Sequence, residues 1–115
     1  MNVGRVPDPP YDHAMNPDVL ASLRRRFIER CRAELRTLRE IREIGNSRAH
    51  DTLIRTVHGL SGAGATFGFP DLSRQAGDLE TLLLEGNSSE ADRRCALDRL
   101  IATLESLDSA GAQAG

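Results

Sequence analysis

The chain has 115 residues and a mass of 12.6 kDa, enough for one hydrophobic core and too little for two. Apolar residues make up 39% and charged residues 28%, too apolar for wholesale disorder, and aromatics at 3% leave an aliphatic core. A net charge of −2 argues against a chain that binds polyanions as a whole, and no apolar run approaches the ~20 residues of a membrane span.

Residues 1–17 hold four of the five prolines, Pro7, Pro9, Pro10 and Pro17. Proline lacks an N–H donor and restricts the residue before it, so this stretch reads as an N-terminal arm, with room for a short extra helix. It has no continuous apolar stretch of the signal-peptide kind. Pro17-Asp18 then suits a helix start, with proline early and aspartate favoured by the helix dipole.

The first long helix is predicted to run to about Ile44. Leu20, Leu23, Phe27, Cys31, Leu35, Leu38 and Ile41 recur at steps of three and four, one stripe of a helix. Gly45-Asn46-Ser47 ends it, with Ser47 as the next N-cap. The second helix spans about Arg48 to Phe67 on Leu53, Val57, Leu60, Gly64 and Phe67, and Gly68-Phe69-Pro70 breaks it. The third begins near Pro70 on Leu72, Ala76, Leu79 and Leu83, and Gly86-Asn87-Ser88 is the next stop and cap. The fourth carries Ala91, Leu97, Leu100, Leu104 and Leu107 and frays at Ser109. Four amphipathic helices with short connections predict an all-α, antiparallel up-down four-helix bundle over residues 18–108, followed by a disordered tail at 109–115.

Charge is unevenly distributed. Nine arginines lie between Arg24 and Arg48 against Glu29, Glu34, Glu40 and Glu43, which makes that segment +5 and the remainder −7. Glutamates at salt-bridge spacing and the lack of interleaved aromatics argue against nucleic acid; the run is better suited to guiding an acidic protein partner. Lysine is absent.

The segment His58-Gly59-Leu60-Ser61-Gly62-Ala63-Gly64-Ala65-Thr66-Phe67-Gly68 departs from ordinary bundle helix. Glycines 59, 62 and 64 together cost roughly 3 kcal/mol relative to alanine. On a wheel of about 100° per residue, Gly64 falls at the core centre, where it admits a neighbouring helix, and Gly62 falls opposite. His58 lies about 140° from the core centre, with Ile54, Ser61 and Ala65 on the flank of its face and Arg55 about 60° away. A solvent-facing imidazole among small side chains is accessible to another protein's active site.

His58-Gly59-Leu60-Ser61-Gly62 followed by Gly68 resembles the signature of the histidine-containing phosphotransfer (HPt) domain family: H-x-L-K-G, a second glycine ten residues after the histidine, then a helix ending in leucine and Gln/Glu, matched by Leu79-Glu80. The resemblance covers residues 18–107, with its specific part from His58 to Glu80. It implies a phosphocarrier without autokinase activity, serving response-regulator receiver domains and a hybrid histidine kinase. His58 is then the phosphorylated nucleophile through Nε2, and Glu80 holds Nδ1. Gly62 clears the approach, while Ile54, Ser61 and Ala65 form a docking floor. No cofactor of its own is implied; Mg²⁺ belongs to the receiver. The family's lysine is replaced by Ser61, which donates a hydrogen bond but no charge, and Arg55 is the candidate substitute. The departure also leaves open an alternative: an HPt-like module that sequesters a kinase or receiver without carrying phosphate. A plain structural bundle that dimerises is the third reading.

His13 and His50 have no partners in the pattern and read as surface residues. Asp51 reads as a solvated charge ahead of a docking contact. Cys31 and Cys95 are too few for a disulfide framework or a four-ligand metal site and are expected to be buried, inert thiols; no metal spacing is present. These features predict a monomer in a reducing cytoplasm, with no membrane partner. Met1 and the small-residue tail favour a chain that stands alone.

Overall fold

A computed structural model of the protein describes residues 17–44 and 49–114, with side chains described as far as Ser109. The arm before Pro17, His13 and the Gly45-Asn46-Ser47 stop lie outside the described residues. Four helices form: α1 (Pro17–Ile44), α2 (His50–Thr66), α3 (Pro70–Glu85) and α4 (Glu90–Ala114). Among the described residues, no helix is long and apolar enough to cross a membrane.

Cross-helix contacts give the topology. Arg32, Arg39 and Arg42 on α1 pair with Asp108, Glu105 and Asp98 on α4, so rising numbers on one helix meet falling numbers on the other. Arg24 and Arg30 of α1 likewise reach Gly68 and Gly59 beside and on α2. The packing order α1–α2–α3–α4–α1 closes a ring of antiparallel neighbours, the four-helix bundle, with α2 and α3 the most closely engaged pair.

The core is the apolar stripe of each helix turned inward. Phe27, Cys31, Leu35, Leu38 and Ile41 of α1 meet Leu53, Val57 and Leu60 of α2, Leu72, Ala76, Leu79 and Leu83 of α3, and Leu97, Leu100, Ile101 and Leu104 of α4. Removing a leucine side chain from water contributes about 1.5–3 kcal/mol, so these residues dominate the free energy of folding. The three phenylalanines gather at one end. Phe27 stacks on Phe67 at 5.2 Å and meets Phe69 at 5.6 Å, fastening α1 to the α2–α3 turn.

That turn follows from its residues. Gly68 takes φ +87°, a left-handed conformation that favours glycine. The Phe69 N–H then donates to Gly64 O at 2.8 Å, the Schellman closure of a helix. Pro70 occupies the first turn of α3, where its missing N–H costs nothing. Arg24 Nε adds a cation at the end of α2 by donating to Phe67 O, favoured by the helix dipole.

Several expectations are corrected at the margins. α2 begins at His50 behind Ala49, whose side chain provides no cap bond. Ser89, not Ser88, caps α4 by accepting from the Asp92 N–H; the Ser88 hydroxyl instead donates back to Leu82 O. Ala91 is exposed and Ile101 is in the core, because the helix enters the bundle a turn later than its first apolar residue. The fraying expected from Ser109 gives way to backbone that stays helical to Ala114; alanine at 110, 112 and 114 is the best helix former. Cys95 is exposed whereas Cys31 is buried, since Cys95 falls outside the Leu97–Leu100–Leu104 stripe.

Burial pushes the Cys31 thiol up to about 11. Its proton is therefore held more tightly in the folded than in the unfolded chain, and stability falls as pH climbs from 9 toward that value. With a thiol reagent at pH 8, Cys95 is expected to react at once and Cys31 only on unfolding; equal rates in the native protein would contradict the fold. A Cβ at Gly64 would lie 3.1 Å from Ser73 N and 3.3 Å from Phe69 O, both backbone atoms. Gly64→Ala is expected to lower the urea midpoint, because overpacking at about 1–3 kcal/mol exceeds the gain of up to about 1 kcal/mol in helix propensity.

Candidate functional site

The α2–α3 seam organises the site. Three pairs step along it in antiparallel register: His58 with Glu80, Ser61 with Gly77, and Gly64 with Ser73. The last two pairs are small, so the helices approach closely. The Ser73 hydroxyl donates to Ser61 O at 2.6 Å, a side-chain tie across the interface. Beneath, Val57, Leu60 and Leu79 are fully buried, and both site residues stand next to these anchors in sequence.

At the head of this seam the His58 Nδ1–H donates to Glu80 Oε2 over 2.7 Å. An ionised carboxylate only accepts hydrogen bonds, so this contact assigns the ring proton to Nδ1. In the neutral tautomer that this contact favours, Nε2 carries the lone pair. The two partners differ in environment: the His58 side chain is 76% exposed and that of Glu80 only 20%. The fixed carboxylate is sheltered, while the imidazole projects outward.

Gly62 lies one turn beyond His58, and a Cβ there would find no atom within 4 Å. Among the described residues its glycine meets no packing demand, and the helix surface beside the ring carries no side chain there. Ile54 is half-buried and packs on the core, whereas Ala65 and Arg55 are exposed. Ser61 departs from the expected arrangement. It is half-buried, with its hydroxyl oxygen 3.3 Å from where a Gly77 Cβ would stand, so it faces α3. His50 and Asp51 are exposed and lie a turn or more before His58.

Three residues at the site escape the sequence reading. Gly77 and Ser73 are the α3 side of the close approach, and the signal for Gly77 is its place three residues before Glu80, mirroring Ser61 three after His58. Arg30 of α1 is the other. Its terminal guanidinium nitrogen lies 2.5 Å from where a Gly59 Cβ would be. In the sequence it is one arginine of nine in a charged run, and nothing separates it from the rest.

The run itself has a structural use. Arg32, Arg39 and Arg42 are consumed in ion pairs to α4, where they are half-exposed and contribute about 0.2–1 kcal/mol each. Among the described residues, no group of three or more His, Cys, Asp or Glu side chains could hold a metal ion.

No curated protein and no solved structure matches the chain. The family model described as the Hpt domain matches residues 22–110, which takes in most of α1, all of α2 and α3, and α4 as far as residue 110. With that span covering most of the sequence, the chain belongs to the Hpt domain family, the histidine phosphotransfer domains of phosphorelays.

Proposed function

We propose that the protein shuttles a phosphoryl group between receiver-domain aspartates, with His58 as the phosphorylated residue and Glu80 as its positioning partner. The observation that carries this reading is the 2.7 Å contact from His58 Nδ1 to Glu80 on a side chain that is otherwise largely exposed. The donor is a phosphorylated receiver supplied by a hybrid histidine kinase, the chain itself has no autokinase activity, and the acceptor is a second response-regulator receiver. The carrier acts as a monomer in the cytoplasm, with any Mg²⁺ in the receiver.

The chemistry is a direct displacement. The Nε2 lone pair forms a bond to phosphorus as the bond from phosphorus to the aspartyl oxygen breaks, which releases the receiver's carboxylate. No proton need move, because Nδ1 keeps its hydrogen. The ring acquires positive charge as the N–P bond forms, and Glu80 faces that charge through the Nδ1–H bond. The carboxylate therefore interacts more strongly with the product and transition state than with the neutral ring, which is the condition for catalysis. Transfer to the second receiver is the same step reversed. In-line positioning and neutralisation of the phosphoryl oxygens account for most of such a reaction, so a bare, rigid helix face serves the carrier better than a pocket.

Incubation with a phosphorylated receiver is expected to place acid-labile, alkali-stable label on the protein. His58→Gln should abolish it, and label on any other residue would overturn the assignment. Glu80→Gln should retain the fold and slow transfer about 10- to 100-fold, the loss of a charge-assisted hydrogen bond worth about 1.5–3 kcal/mol. The sequestering module predicts the opposite: His58→Ala retains full biological effect through binding alone. Gly62→Ala is expected to stabilise the protein by about 0.5–1 kcal/mol, since a helical glycine is removed without a clash, while Gly62→Arg blocks transfer. A large stability loss in Gly62→Ala, read by thermal melting, would show that this glycine serves packing.

A further inference from the structure

We infer that Arg30 of α1 is the cation that binds the phosphoryl oxygens at His58, in place of the lysine that Ser61 replaces. The inference rests on His58 being the phosphoacceptor. Four observations lead to it.

First, residue 61 cannot serve. Serine has no charge, and the Ser61 hydroxyl is directed at Gly77 across the α2–α3 seam. Second, Arg30 reaches over from the neighbouring helix onto Gly59, the residue that follows His58. Its terminal nitrogen, 2.5 Å from the Gly59 Cβ position, is no more than about 8 Å from the His58 Cα, since consecutive Cα atoms are 3.8 Å apart. Third, Arg30 is loosely engaged. Its ion pair to Glu34 runs through Nε at 3.6 Å, beyond ordinary hydrogen-bond distance. Arg32, Arg39 and Arg42, by contrast, span to α4 through short pairs. Fourth, Gly59 is otherwise an unexplained mid-helix glycine. A side chain there would occupy the space of the guanidinium.

The positions are complementary. His58 and Gly59 are about 100° apart on the α2 wheel, with Gly62 between them. The imidazole leans toward α3 and Glu80, while Arg30 enters from α1. The bare surface over Gly62 is thus flanked by a nucleophile on one side and a planar, always charged fork on the other. As the Nε2–P bond forms and the aspartyl O–P bond breaks, charge spreads over the three non-bridging oxygens, and a guanidinium binds such oxygens bidentately. Arg55, the candidate on α2 itself, is exposed, and among the described residues no hydrogen bond or ion pair holds it toward His58.

The test uses the full chain, a phosphorylated receiver and five variants. Arg30→Gln is expected to slow transfer about tenfold, as loss of a charged hydrogen-bond donor does, and to move the ³¹P resonance of phosphorylated His58. Arg30→Lys should recover part of the rate. Arg36→Gln, an equal change of charge at an exposed α1 position, is the control for net charge and should leave both unchanged. Gly59→Ala keeps every charge but displaces the guanidinium; it should melt no lower than the parent and still transfer more slowly. Parental rates and an unmoved ³¹P resonance in Arg30→Gln overturn the inference, and a loss confined to Arg55→Gln transfers the role to Arg55. If the parent itself takes no label at His58, it is the carrier reading that fails.

Discussion

The close approach of α2 to α3 is the constraint from which the rest of the site follows. Gly64 against the Ser73 backbone and Ser61 against Gly77 remove the side-chain bulk that normally holds helices 8–10 Å apart. Across this close approach the Glu80 carboxylate meets the His58 ring at 2.7 Å. The hydrophobic layer under the seam keeps the arrangement rigid, because Val57, Leu60 and Leu79 have no room to shift.

Glycines in α2 have three different physical roles despite their short spacing. Gly64 is required for contact with backbone. Gly62 faces open space, where an added Cβ meets nothing among the described residues. Gly59 admits an arginine from α1. A single helix therefore presents a packed face, a bare face and a crossing point within six residues. The associated loss of helix propensity, roughly 1 kcal/mol at each, is offset by the buried leucines on either side. Stability and accessibility are separated around the circumference of one helix.

Charge is organised the same way. The arginine-rich α1 looks like a cationic face in the sequence, but Arg32, Arg39 and Arg42 pair with the acidic residues of α4 and turn that side of it into an inter-helix zipper. The arginines that turn toward α2 have other uses. Arg24 closes the carbonyl end of α2, and Arg30 reaches over Gly59, the residue after His58. Long-range steering by α1 is correspondingly reduced, because ion-paired charges produce weaker fields than free ones.

Apolar periodicity was sufficient to determine four helices, their order and nearly all of the core, because burial of one stripe per helix follows from local spacing. It also determined His58 as an exposed imidazole and Gly62 as its cleared flank, since both are angular positions on a single helix. The pairing of Glu80 with His58 came from family resemblance and not from spacing, and the tertiary structure alone provides its geometry. Which serine caps α4, whether Cys95 is buried, and where α4 ends were misjudged, as these depend on where a helix joins the bundle. The orientation of Ser61, the contact at Gly77 and the reach of Arg30 across to Gly59 could be decided only by the packed structure. Each joins residues from different helices, and local periodicity carries no information on the register between helices or on which arginines of the charged run reach from α1 to α2.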